Sequence, residues 1–477
     1  MRKDVLLAAA VALLVHGFLQ FSFESLAGSD GFYHVKISEV YRERGLLFEF
    51  PWMYHSIMNE HFVDPHLLFH VCIIPFTYGD LILGGKAAVV LFNTISAVVF
   101  YLVLKRLNRA YPFAWFLCYL LGSAFFLQKA QYLRAVILFQ SILFVSLYLI
   151  VRKRNWHVFA LSWISVYFYG SFVFIPFFAF VHFLAEFLYS RKRLADVQDC
   201  LMPFLVSVAG MAAGLVANPY FPHNLRLYYV EFIVNQFVNP LGLLIQEWAP
   251  FSPGAFAGAA GFHLVLSLIA IPYMMRKRDK GTVYFFALLV LLTIGLVRSR
   301  RMLEYFVPVA VLFYSSMGRT GRRALPAAAA VAVIGLFLFS FQSTLASLRA
   351  SSHMGETEGC MGWLSANTPQ GSIVMSWWHE FPSMYFYNQH NYYIVGLNPN
   401  WLYAFDAQSY GLYSSVIFNK IHSVGDAMVY FNSQQFLLRK GAVLPDEKYL
   451  YARLKTDPGF RTAYEDNGCV VFSVKYK

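Results

Sequence analysis

Gly28-Ser29-Asp30-Gly31-Phe32-Tyr33-His34 follows directly on the first membrane-length apolar run, residues 5–22. It reads as a short polar loop carrying one carboxylate. An acid in that place is either a solvated loop residue or helix N-cap, or it lines the mouth of a cavity between helices. Gly28 and Gly31 flank Asp30 and permit a close backbone approach. His34 and Lys36 follow within reach of one helix face, where a phosphate or a sugar would meet them.

The rest of the chain reads as a scaffold around this motif. Of its 477 residues 58% are hydrophobic and 13% charged, against about 25% charged in soluble proteins. The net charge of +12 comes from short Lys/Arg clusters lying between apolar runs. Such clusters mark membrane topology rather than a nucleic-acid-binding face, so no nucleic-acid partner is expected.

A span needs about 20 mainly apolar residues. Candidate runs fall at 5–22, 86–104, 111–127, 135–151, 156–170, 172–189, 200–217, 257–275, 282–297, 302–318 and 324–342. When these alternate, Arg2-Lys3, Lys105-Arg106 with Arg109, Arg152-Lys153-Arg154, Arg191-Lys192-Arg193, Arg276-Lys277-Arg278 and Arg319 with Arg322-Arg323 all fall on one side. The positive-inside rule makes that side cytoplasmic. The expected fold is a polytopic α-helical membrane protein of about 11 spans with a C-terminal extracytoplasmic α/β domain. Residues 1–344 form the membrane domain, with external loops 23–85 and 218–256, and 345–477 the soluble domain. The N-terminus is expected in the cytoplasm, with a bacterial inner membrane as the setting. Leu67 to Phe76 is apolar but too short to span, and Pro75 interrupts it.

Arg298, Arg300 and Arg301 break the alternation by lying at the outer end of a span. The planar donor fork of arginine suits a phosphate there. In the tail, Ser372 to Trp377 and Val470 to Val474 read as strands, and 381–388 and 408–420 as helical. Cys360 and Cys469 both fall in this domain and either pair in an oxidising compartment or stay as two buried thiols. No Cys/His zinc spacing is present. His61-x-x-Asp64-x-His66-x-x-x-His70 is a different matter. His66 and His70 share a helix face, Asp64-Pro65 suits a helix start, and imidazoles with a carboxylate can bind metal or contact substrate.

Four motifs resemble the oligosaccharyltransferase catalytic subunit family of C-type (GT-C) membrane glycosyltransferases. Gly28 to Lys36 is similar to the family's first external-loop pattern D-x-x-Y-H-x-R. Gln246-Glu247-Trp248-Ala249-Pro250 resembles its loop glutamate followed by proline. Arg298-Ser299-Arg300-Arg301-Met302-Leu303-Glu304-Tyr305 resembles its Arg-rich helix entry near the donor phosphates. Ser376-Trp377-Trp378-His379 stands where the family carries W-W-D, on the acceptor side. The order of the four is shared.

The resemblance implies an enzyme that transfers a sugar or glycan from a polyprenyl-phosphate or diphosphate carrier to a lipid, polysaccharide or protein acceptor. Asp30 and Glu247 would be the catalytic carboxylates, holding a divalent cation (Mg2+ or Mn2+) or the acceptor, and Arg298 or Arg301 would stabilise the leaving phosphate. Two departures stand out. The family's second acidic motif is replaced by Gln128-Lys129-Ala130-Gln131-Tyr132-Leu133-Arg134, so Lys129 and Arg134 can supply positive charge in place of a metal. In the tail, His379 stands in place of the acid of W-W-D. A transporter or flippase of lipid-linked glycans is the competing reading, but the chain shows no internal repeat, and its charges gather at the outer ends of the spans.

Overall fold

The computed structural model describes residues 2–190, 194–237, 247–277, 279–317, 327–350, 354–441 and 445–475. Among these, seven helices are long and apolar enough to cross a membrane: Lys3–Gln20, Leu81–Arg106, Gly170–Leu188, Gln198–Val216, Pro253–Arg276, Lys280–Arg298 and Val333–Ala350. The other expected spans are shorter. Ala135–Val151 has 17 residues and Asn155–Ser165 has 11. The run at 111–127 divides into Pro112–Leu121 and Ala124–Lys129, because Ser123 is extended and its hydroxyl caps the amide of Phe126. Leu303–Tyr314 is buried at all twelve positions, so its neighbours, not lipid, surround it. Arg191-Lys192-Arg193, Arg278, Arg319, Arg322-Arg323 and Gln246 lie outside the described residues.

Local chemistry fixes the ends of the helices. Asp80 caps Leu81–Arg106 by accepting from the Leu83 amide at 2.8 Å, and Lys105 and Arg106 occupy its last turn. Asp279 does the same for Lys280–Arg298 at Thr282, and that helix ends on Arg298. Acid at the start and base at the end both complement the helix dipole.

The opening motif is not a loop. Asp30 is the first residue of a helix, Asp30–Arg44, which is buried from Gly31 through Val35 and again at Ile37, Ser38, Val40 and Tyr41. Gly28 makes the corner before it with φ of +73°, a conformation that costs glycine little, and lies against the Tyr132 ring. The Asp64-Pro65 pair also differs from the expected helix start. The helix begins at Leu67, and the Asp64 side chain instead accepts from the His66 amide at 2.8 Å in a local turn.

The tail is a five-stranded mixed sheet: β1 Ile373–Met375, β2 Tyr392–Tyr393, β3 Ser433–Arg439, β4 Phe460–Glu465 and β5 Cys469–Val474. Its order is β2-β1-β3-β5-β4, parallel at β2-β1-β3 and antiparallel at β3-β5-β4. Helices Phe381–Tyr387 and Ala407–Ile417 fall in the runs read as helical. Cys360 and Cys469 are joined in a disulfide.

The tail is also bound to the segment that carries the motif. Tyr54 donates its amide to Tyr393 at 2.8 Å and His55 to Ile394 at 2.9 Å, while Tyr393 donates to Trp52 at 3.1 Å. The β2 edge is thereby covered. Phe386 meets Phe32 edge-on at 5.1 Å, and Tyr385 and Phe381 lie 6.0 and 6.4 Å from Tyr33. Such aromatic pairs contribute about 0.5–1.5 kcal/mol each beyond buried area.

Candidate functional site

Helix ends and the turns between them bring three carboxylates and three cations together. Arg134, just before helix Ala135–Val151, donates through both terminal nitrogens to Glu247, one of the bonds measuring 2.8 Å. Its Nε lies 3.5 Å from Asp30 and its Nη1 3.7 Å from Glu304. Lys129, closing helix Ala124–Lys129, is 3.3 Å from Glu304 and 3.6 Å from Glu247.

Glu247 is held by the Arg-rich stretch itself. Its carbonyl accepts from the Arg301 amide at 3.1 Å and the Ser299 hydroxyl at 3.0 Å, while Arg300 donates its amide to Ala249. The Arg301 guanidinium donates to the Tyr169 hydroxyl at 2.5 Å and lies over the Trp248 ring.

The sequence motifs therefore sort as follows. Asp30, Glu247, Lys129, Arg134 and Arg301 share one recess. Arg298 does not join them: it is exposed at its helix end, because Ser299 turns the chain before Arg300 and Arg301. Lys36 also lies apart, paired with Glu39 at 2.7 Å. Glu304, quoted within the Arg-rich motif but given no role there, is a further member. Its side chain is 3% exposed, and its Oε2 has no hydrogen-bond partner among the described residues.

Charge states follow from this packing. Burial raises the Asp30 pKa above the usual 3.8, Arg134 and Arg301 pulling against it, although the side chain still keeps 47% of its surface open. Burial acts the same way on Glu247, but Arg134, Lys129 and Arg301 outweigh it and hold the carboxyl well below its ordinary range. Asp30 is thus the more basic of the two carboxylates. Both oxygens of Glu247 are engaged by Arg134, and Asp30 faces the same guanidinium, so this pair does not fit as a Mg2+ or Mn2+ donor set.

Beside the recess lies a second buried group. His34, one turn along from Asp30, places Nδ1 at 2.7 Å from Nε2 of His70, and Nδ1 of His70 is 2.6 Å from Oδ2 of Asp64. Tyr41 donates to the same Asp64 oxygen at 2.7 Å. Asp64 therefore supports a histidine rather than lining the recess. His66 stacks on Tyr169 with ring centres 5.5 Å apart. Burial and His70 hold His34 well below 6.5 and His66 at about 3, so both imidazoles are neutral. His61 is elsewhere, stacked on His223 at 4.1 Å.

Trp377 and Trp378 are buried in the tail's own core. His379 lies 2.9 Å from Glu447 and 3.2 Å from Glu380, which also meets Arg439 at 2.9 Å. None of the three contacts the recess in a described hydrogen bond or ion pair. Also in the tail, Asn398 and Trp401 both donate to a Glu231 carboxylate oxygen, at 2.8 and 2.9 Å.

No protein-family model matches the chain, and no curated protein matches it. Solved structures do. The apo oligosaccharyltransferase of Archaeoglobus fulgidus superposes with a TM-score of 0.64 at 14% identity, over 91% of this chain and 69% of that one. The same organism's AglB, in complex with an inhibitory peptide and a dolichol-phosphate, gives 0.61 at 13% identity over the same shares. The chain has the GT-C fold. Arabinofuranosyltransferase AftD from Mycobacteria, at 14% identity and a TM-score of 0.53, extends the likeness to all of this chain and 40% of its own length. In this GT-C chain the acid-and-cation cluster lies where helix Asp30–Arg44, the stretch from Glu247 to Pro250 and the entry to Leu303–Tyr314 meet.

Proposed function

We propose that the chain is a membrane glycosyltransferase that moves a sugar or glycan from a polyprenyl phosphate or diphosphate to an acceptor on the extracytoplasmic face. The observation that carries this reading is Asp30 and Glu247 meeting on one guanidinium, with Lys129 and Arg301 beside them.

The chemistry needs two things of such a recess. An acceptor hydroxyl or amine attacks the anomeric carbon while the bond from that carbon to the phosphate oxygen breaks. The phosphate leaves with the electron pair, and Arg134, Arg301 and Lys129 stabilise its growing charge in a partly dry site. The acceptor's proton passes to Asp30, the carboxylate with the raised pKa. Glu247 holds Arg134 and orients the acceptor. No step needs a cation on Asp30 and Glu247.

Two structural features support the orientation and the acceptor class. The Cys360–Cys469 disulfide suits an oxidising, extracytoplasmic compartment. The burial of Trp377 and Trp378, with His379 tied to two glutamates, favours a lipid or polysaccharide acceptor over a peptide read by that motif.

The deciding experiment is Asp30→Asn in purified protein supplied with radiolabelled polyprenyl-linked sugars. Transfer should fall by about 10²–10⁴-fold with folding and membrane insertion unchanged, and the wild type should lose kcat/KM on acidification at a higher pH than an ordinary aspartate allows. Wild-type-like transfer by the variant would remove Asp30 from the reaction.

A further inference from the structure

The His34, His66 and His70 cluster is more than the proposed transfer requires. One nitrogen of each imidazole lies within 4.8 Å of the others. They come from two segments that the fold brings together, helix Asp30–Arg44 and the stretch entering Leu67–Ile73. Three imidazoles around a point are a good donor set for a first-row transition metal, and a poor one for Mg2+ or Ca2+, which take oxygen ligands.

The outer shell points the same way. A metal-bound histidine usually gives its second nitrogen to a carboxylate, which fixes the ring and raises its basicity. His70 has that partner: Asp64, buried and itself held by the Tyr41 hydroxyl and the His66 amide. Asp64 thus connects to two of the three histidines, one through its ring and one through its backbone. A histidine packed only as a core residue does not need such support from two directions.

We infer that His34, His66 and His70 bind one zinc ion, with Asp64 as the outer-shell carboxylate and water completing a tetrahedron. At zinc–nitrogen distances near 2.0–2.1 Å, tetrahedral ligands lie about 3.3 Å apart. His34 and His70, now at 2.7 Å, need to separate by only about 0.6 Å to reach that spacing. His34 then moves its proton from Nδ1 to Nε2, so no net charge is released from that ring. The half-buried side of His66 gives the fourth ligand its access. Zinc here would stand one stacked ring away from Arg301, through His66 and Tyr169, placing a fixed dication beside the recess without using its carboxylates.

The test uses the full chain in detergent, stripped by chelation and reloaded with zinc sulfate, or with Co2+ as a spectroscopic probe. The wild type should retain one zinc per chain, and Co2+ should show the intense visible bands of four-coordinate geometry. His66→Ala should lose the stoichiometric ion, and Asp64→Asn should weaken zinc binding about 10–100-fold, with thermal unfolding checked for both. Asp30→Asn, defective in transfer, should keep its zinc, which separates this site from the proposed reaction. If the wild type retains no zinc, or the ion survives His66→Ala, or it is lost in Asp30→Asn, the assignment is overturned. Should His66→Ala fail to fold, the wild-type Co2+ spectrum decides: six-coordinate bands would also overturn it.

Discussion

Arg134 grips Glu247 end-on, each terminal guanidinium nitrogen donating to one carboxylate oxygen. Only arginine makes that planar two-point contact; lysine supplies the charge without the fork. Arg134→Lys should therefore fold but lose about 10–100-fold in transfer, consistent with roughly 1.4 kcal/mol per tenfold. Arg134→Ala should instead destabilise the protein by about 1–3 kcal/mol, because Glu247 loses two hydrogen bonds and shares Lys129 alone with Glu304. Steady-state kinetics and thermal unfolding on both variants separate the two effects.

His379 should make the tail's stability depend on pH. Burial alone would lower its pKa, but Glu380 and Glu447 raise it from 6.5 to about 9. A raised folded pKa means stabilisation that is complete below 6.5 and lost as pH rises through about 9. Glu380 behaves oppositely, its carboxyl lowered below 4.5, so its share disappears on acidification. Thermal unfolding should show a plateau between those limits. His379→Gln should lower the plateau by up to about 3 kcal/mol and remove the alkaline fall. An unchanged alkaline limb would place its cause elsewhere.

The Cys360–Cys469 bond closes a loop of 109 residues. By chain-entropy reasoning a loop of that size contributes about 4–5 kcal/mol. Cys360→Ser should lower the unfolding temperature of the tail markedly, and the two cysteines should resist alkylation in the unfolded wild type until a reductant is added. Equal labelling with and without reductant would show that the pair is not joined.

The recess was legible in the sequence where residue type and position agree. Asp30 stands out as an acid directly after an apolar run, and Arg301 belongs to a cluster that breaks the charge alternation, whereas Glu247, Lys129 and Arg134 are marked only by the resemblance to the family's motifs. Glu304 does not stand out, because an acid in the first turn of a helix is ordinary dipole chemistry; only the approach of Lys129 and Arg134 gives it a place among the charges. The His34–His70 contact joins residues 36 apart, and local spacing cannot show such a pairing. Asp30–Arg44 was read as a loop for a related reason. With Gly31 in its first turn and polar and apolar residues intermixed, it has no single apolar stripe, since both the membrane helices and the tail bury it. Helix ends in the membrane domain were less legible for 111–127, where one capping hydroxyl at Ser123 divides what hydropathy alone sees as continuous.

The balance of formal charges in the recess has a consequence for how a donor would enter. Asp30, Glu247 and Glu304 balance Lys129, Arg134 and Arg301 in formal charge, so the cluster is close to electroneutral. An arriving phosphate does not fall into a waiting positive well. It must win Arg134 and Lys129 from the carboxylates already holding them, in an ion exchange. Each carboxylate displaced is left with unsatisfied oxygens, at liberty to accept from the incoming nucleophile. Loading the donor would then prepare the receptor for the acceptor.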